Sequence, residues 1–282
     1  MQRVDELTAT ARRRVPGADA GFVAFERELT YGGGLIAGGL AYRLFLWLLP
    51  IGLVGAQSLG IWFDVNDDSV EDAAKDLGIG AAAIASAAKA VEASQTNRVL
   101  LLLTGLVLLA WFSLGFVRAL LLAYSLAWGL PRPKLRKPVY AVIFFNGLFL
   151  MVAVAGAGLT WLREALGLLG ILGVLVTIAF ETGVAVLVMW LLPRRAERWQ
   201  ELVPGALLVS VGTQLVSVAV VFYFAPRIGR YSELYGALGT AAVLLVWLYV
   251  LARLITSGAF LNATLWERRY GGSTDEVSGR AK

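Results

Sequence analysis

Four charged residues, Arg43, Arg118, Glu181 and Arg253, fall inside stretches that are otherwise apolar enough to cross a bilayer. A charge near a bilayer centre costs at least about 2.5–3.5 kcal/mol on insertion scales, so each of these side chains needs a partner, a cavity or an interface within reach. Arginine presents five N–H donors in a planar fork that matches a phosphate or carboxylate. One carboxylate cannot neutralise three guanidiniums. The surplus points to an anion, and the expectation is that Arg43, Arg118 and Arg253 face the interior of a helical bundle and meet an anionic ligand, chloride or Glu181. Two blander arrangements compete with it. Arg43 and Arg118 lie roughly 12–14 Å from their nearer span ends and could snorkel to the interface, while Arg253, roughly 17–18 Å in, could form a structural pair with Glu181.

Uncharged polar residues extend the candidate surface. Asn146, Gln214 and Asn262, together with Gln57, lie inside spans, where an amide seeks a partner on a neighbouring helix. Gly34 and Gly38 form a GxxxG that permits close helix approach, and Pro50 is expected to kink or break the first span.

Other chemistry is absent from the chain. It contains no histidine and no cysteine, so no Ser-His or Cys-His nucleophilic pair and no site with histidine or thiolate ligands can be built. Ser113 has no base near it in sequence, Glu181 has no carboxylate partner within a span, and no phosphate-binding glycine loop with its lysine occurs. We therefore expect no catalytic residues, no metal, no cofactor and no enzymatic activity.

The elements that must position these residues follow from composition. The chain has 282 residues, of which 58% are hydrophobic and 16% charged, and its mean hydropathy is +0.71. Such usage lies outside that of soluble domains. A span needs about 20 apolar residues, and six stretches qualify: 35–63, 99–128, 139–161, 169–192, 203–224 and 238–265. The expected fold is an all-α integral membrane protein, a bundle of six transmembrane helices. It divides into an N-terminal tail (1–34), a transmembrane domain (35–265) and a C-terminal tail (266–282). The outside loop 64–97 opens on an acidic run and is expected to hold short interfacial helices.

Charge sets the orientation. With six spans, one side receives Arg3, Arg12, Arg13, Arg14 and Arg27, the loops around Lys134 and Arg195, and the C-terminal cations; the other side receives far fewer. By the positive-inside rule both termini are cytoplasmic. The basic excess is thus topogenic, and nucleic acid is not an expected partner. No cleavable signal pattern precedes the first span, which is expected to direct insertion itself.

The stretch "YSELYGALGTAAVLLVWLYVLARLITSGAFLNA" carries a resemblance. With Tyr235, Gly236 and Gly239 in its opening element, Trp247 to Tyr249, Gly258 to Asn262, and Ala41, Tyr42 and Pro50 in the first span, the chain resembles the YihY/BrkB family of bacterial inner-membrane proteins. The resemblance implies six spans with both termini in the cytoplasm. Some members carry an old label as a tRNA-processing ribonuclease, and others are linked to virulence or to envelope lipid export. The chain departs from the pattern at Arg43, Trp47, Arg253 and Phe260, so its charges sit elsewhere than in relatives. The functional expectation is a cytoplasmic-membrane transporter, flippase-like, for an anionic amphipathic substrate with lipids among the candidates. The runner-up is a non-transporting envelope-assembly scaffold, and a membrane-bound enzyme is third. Membrane lipids, anionic ones first, are the expected partners, with a second copy of the chain as another.

Overall fold

A computed structural model describes residues 18–66, 98–131, 135, 137–165, 167, 171–219 and 225–271. Among them the chain forms seven α-helices: α1 (Ala18–Thr30), α2 (Gly33–Asn66), α3 (Arg98–Ala127), α4 (Pro138–Ala165), α5 (Ile171–Leu191), α6 (Val203–Ala219) and α7 (Ala225–Tyr270), with a 3-10 turn at Trp199–Leu202 leading into α6. Six stretches are long and apolar enough to cross a membrane: Gly33–Gly55, Val99–Ala127, Pro138–Leu162, Leu172–Leu191, Trp199–Val218 and Ala241–Tyr270. The six-span helical bundle expected from sequence is the fold observed. The interfacial helices expected in the loop 64–97 fall almost wholly outside the described residues.

The outward surface explains why these helices need lipid. No residue of the most apolar window in α4 is buried, and Val139, Ile143, Phe144, Leu150 and Val154 are all exposed. On a soluble protein so continuous an apolar surface would drive aggregation. In hydrocarbon it is the favourable face, because the backbone polar groups are already paired within the helix.

The chain divides into two compact units, one of residues 1–42, 118–135 and 166–282, the other of residues 43–117 and 136–165. In the first, α7 packs against α6 and α1, and α6 packs against α5. Glu28 of α1 meets Ser257, Gly34 of α2 faces Arg253, and Gly38 faces Tyr249. These contacts descend α7 as the chain ascends, so α1 and the start of α2 run antiparallel to it in succession. Between them the chain turns at Gly32, whose φ of 70° is a left-handed conformation that glycine adopts without steric cost. The stretch 1–34 therefore differs from a plain tail: it contains a helix docked on α7. The reason is a buried stripe at helical spacing, Ala20, Ala24 and Glu28, opposite exposed Phe25 and Leu29.

Helix ends follow local rules. α3 stops at Gly129, whose φ is 58°, with Leu130 N–H donating to the Ser125 carbonyl at 2.8 Å and Gly129 N–H to that of Leu126 at 3.3 Å. This is the paired bonding of a Schellman motif. Pro50, in contrast, does not end its helix. α2 runs through it for 34 residues, so of the kink or break expected there the break is absent; a span interior tolerates the one lost backbone bond where neighbours and local adjustment compensate.

Candidate functional site

In the unit built on α7, Arg253 is ion-paired with Glu28, Nη1 to Oε1 at 2.8 Å. Its angles fall outside hydrogen-bond geometry, and the carboxylate is satisfied instead by hydroxyls. Ser257 donates to Oε2 at 2.8 Å and Thr256 more weakly to Oε1 at 3.4 Å. Glu28 is 1% exposed. Its side chain lies in a cradle only glycine can make: a Cβ on Gly33 would stand 2.3 Å from Glu28 Cγ. The Arg253–Glu181 pair, one of the alternatives weighed from sequence, is thus replaced by a pair between Arg253 and a residue of the N-terminal segment. Two further pairs tie α1 to the end of α7, Arg27 to Glu267 at 2.5 Å and Arg268 to Asp19 at 2.8 Å.

Glu181 instead accepts a hydrogen bond from Gln214 Nε2 at 2.8 Å, joining α5 to α6. Its other oxygen is shielded and has no hydrogen-bond partner among the described residues. Asn262 is fully engaged: its Oδ1 accepts from Gly205 N–H at 2.7 Å, and its Nδ2 donates to the Leu202 carbonyl at 3.0 Å and faces Met189 sulfur at 3.4 Å. It thereby satisfies one of the orphan donors at the start of α6 from another helix. Arg118 is exposed, and among the described residues it has neither an ion pair nor a hydrogen bond. The structure brings Glu181 together with Gln214, and does not bring Arg118, Arg253 and Glu181 into contact with one another. Outside the spans, Arg194 stacks over Trp190 at 3.6 Å, and burial lowers its pKa from the ordinary arginine value.

The other unit holds a second polar cluster. Trp47 Nε1 donates to Ser113 Oγ at 2.9 Å and to Asn146 Oδ1 at 3.3 Å, while Asn146 Nδ2 donates to Ser113 Oγ at 2.8 Å and to the Val142 carbonyl at 2.9 Å. Phe116, Phe145 and Phe149 surround the indole at 4.7–6.0 Å between ring centroids. With every member partnered, the cluster joins α2, α3 and α4, which is the ordinary interhelical role of an amide. We expect Asn146→Leu to lower stability by about 1–2 kcal/mol, the upper range for interhelical hydrogen bonds in a bilayer. A melting temperature unchanged from wild type would show the cluster to be incidental. Arg43 lies in this unit too, exposed, donating to the Gly115 carbonyl at 2.9 Å. Gly115 admits it because a Cβ there would stand 2.8 Å from Nη1.

Among the packing residues, a Cβ on Gly34 would meet Tyr249 Oη at 3.7 Å and one on Gly38 would meet the same ring at 4.0 Å. Those are ordinary contacts, so the GxxxG is not the tight crossing. That crossing is made by Gly205 and Gly258, where a Cβ on Gly205 would stand 2.2 Å from the Gly258 carbonyl. Tyr235, Gly236 and Gly239 lie in the first third of α7, where only the backbone is described. Sequence reasoning missed Glu28, Gly33, Ser257 and Gly205. The signal for Glu28 was its place on the small-residue stripe with Ala20 and Ala24.

Six apolar spans, an outward surface made for hydrocarbon, and a buried ion pair and amides that join helices define a multi-pass helical membrane protein. The family described as Virulence factor BrkB matches residues 24–281. The chain belongs to that family. It is 27% identical over 109 residues to a UPF0761 membrane protein of Nitrosospira multiformis, a match covering 39% of this chain and 24% of that one. A UPF0761 membrane protein of Laribacter hongkongensis is 31% identical over 171 residues, 57% of this chain and 40% of that one. YfkH of Bacillus subtilis, whose name likens it to a ribonuclease, is 36% identical over 66 residues, 23% of this chain and 24% of that one. These matches span well under half the length of each relative. No solved structure matches the chain significantly.

Proposed function

We propose that this protein is a transporter of the bacterial cytoplasmic membrane, with both termini cytoplasmic, that moves an anionic amphipathic substrate of the phospholipid class in flippase-like fashion. The observation that carries this reading is Arg118. It stands nine residues before the end of α3, about 14 Å into the helix, exposed and without a countercharge among the described residues. A guanidinium so placed is costly unless an anion meets it there, and a phosphate diester offers oxygens that match its fork. Arg43, taken separately, is in a similar condition: its partner is a carbonyl, which carries no net charge. Arg253 leaves the proposed set because Glu28 neutralises it. That revision leaves Arg118 as the headgroup contact in its unit, with Arg43 a separate candidate in the other.

An enzymatic reading has less support, since the chain has no histidine and the ribonuclease-like name belongs to one short-matching relative. The test is lipid movement in vesicles reconstituted with the full chain, using labelled phosphatidylglycerol and phosphatidylcholine. Arg118→Gln is expected to slow movement of the anionic lipid about tenfold, the size of one lost charge-assisted hydrogen bond. Arg43→Gln should act in the same direction, with melting temperatures of both variants unchanged. Wild-type flux from both variants would remove the arginines from the mechanism, and absence of flux from the wild type would favour the scaffold.

A further inference from the structure

A recess of about 210 Å3 is lined by Gln200, Glu201, Pro204, Leu265, Trp266, Arg269 and Tyr270. It is smaller than the roughly 300–1,000 Å3 of sites that enclose a drug-sized molecule. Its lining comes from the first residues of one candidate span, Trp199–Val218, and the last residues of another, Ala241–Tyr270. The recess therefore opens at a membrane boundary, the depth at which lipid headgroups lie and where tryptophan and tyrosine concentrate.

Its chemistry has two halves of opposite sign that do not neutralise each other. Glu201 Oε1 accepts a hydrogen bond from the Tyr270 hydroxyl at 2.7 Å, which fixes the carboxylate. Its Oε2 accepts none among the described residues, and Glu201 forms no ion pair there. Trp266 and Tyr270 stand beside it with ring centroids 5.5 Å apart and planes at 41°. A carboxylate beside aromatic faces is a site for an ammonium, attracted by charge and by the ring quadrupoles together. Arg269 lines the same recess, is exposed and has no ion pair among the described residues. Its guanidinium suits a phosphate. Pro204 and Leu265 give the recess apolar wall.

We propose that this recess binds the headgroup of a phospholipid carrying a primary amine, with the ammonium on Glu201 against Trp266 and the phosphate on Arg269. A zwitterion of that kind bridges the two unpaired charges at once. A primary ammonium has N–H donors for the Glu201 carboxylate; a trimethylated one has none, and phosphatidylglycerol has no cation. The site is independent of the transport reading and of Arg118.

The experiment is native mass spectrometry of the delipidated full chain against phosphatidylethanolamine, phosphatidylcholine and phosphatidylglycerol of identical acyl chains, with soluble phosphoethanolamine as a fourth arm. Phosphatidylethanolamine is expected to be retained about tenfold over the other two lipids, the size of one charge-assisted hydrogen bond. Glu201→Gln should abolish that preference, and Arg269→Gln should weaken all three lipids alike, since each carries the same phosphate. Arg118→Gln should leave the preference intact. Melting temperatures without lipid establish that the variants are folded. Equal retention of the three lipids, a preference that survives Glu201→Gln, or soluble phosphoethanolamine held as tightly as the lipid would each overturn the proposal.

Discussion

Glu28→Ala is expected to destabilise the protein by about 3–5 kcal/mol, the cost of leaving one member of a buried ion pair without its partner. Glu28 is almost fully buried, and three groups depend on it: Arg253 at 2.8 Å, Ser257 at 2.8 Å and Thr256 at 3.4 Å. Removing the carboxylate strands the guanidinium inside the unit and frees α1 from the middle of α7, leaving only Arg27–Glu267 and Arg268–Asp19 near its far end. Those outer pairs are partly exposed and contribute far less. The measurement is thermal unfolding of the detergent-solubilised chain, with limited proteolysis before Gly33 reporting release of α1. A double-mutant cycle isolates the pair: Glu28→Gln with Arg253→Gln should cost less than the two single changes added, because neither charge is then left alone. Additive losses would mean that the two residues act separately and that α1 is held by something else.

That pair also marks where sequence reading reached its limit. The spans were legible because a bilayer imposes one long apolar stretch per crossing, and Arg253 was legible because charge is rare there. Its partner was not, because Glu28 stands among the charged residues before the first span and nothing in linear order separates it from Glu26, which is exposed. What distinguishes them is helical phase: Glu28 continues the stripe of Ala20 and Ala24, and Glu26 does not. The amides were legible as interhelical bridges, yet which helices they join was not, since Asn146 meets Trp47 and Ser113 across 99 and 33 positions of sequence. A one-dimensional search for an opposite charge inside a span selected Glu181, whose observed partner is the neutral Gln214. Glu201 and Arg269 escaped notice for a different reason. Each sits at a span end, where charge is expected and so carries no signal until the fold places both on one recess.

Close packing was the other property that residue types alone misassigned, and it supplies the second large expected effect. Gly205→Ala should destabilise the protein by about 3 kcal/mol or more, at the upper end of overpacking costs. The new methyl would stand 2.2 Å from the Gly258 carbonyl and 2.5 Å from Asn262 Nδ2. The first is backbone of a packed helix and cannot move aside alone. The second belongs to a side chain that holds Gly205 N–H and the Leu202 carbonyl, so displacing it also uncaps α6. Gly34→Ala is the matched control. Its methyl would make an ordinary contact at 3.7 Å with the Tyr249 hydroxyl, and alanine is favoured over glycine inside a helix by about 1 kcal/mol. The two substitutions add the same atoms and should shift the melting temperature in opposite directions, down for Gly205→Ala and level or up for Gly34→Ala. Gly258→Ala should resemble the former, because its methyl would meet the Gly205 carbonyl at 2.8 Å. A larger loss at Gly34 than at Gly205 would relocate the tight crossing to α2, and with it the helix pair whose separation decides whether this unit holds together.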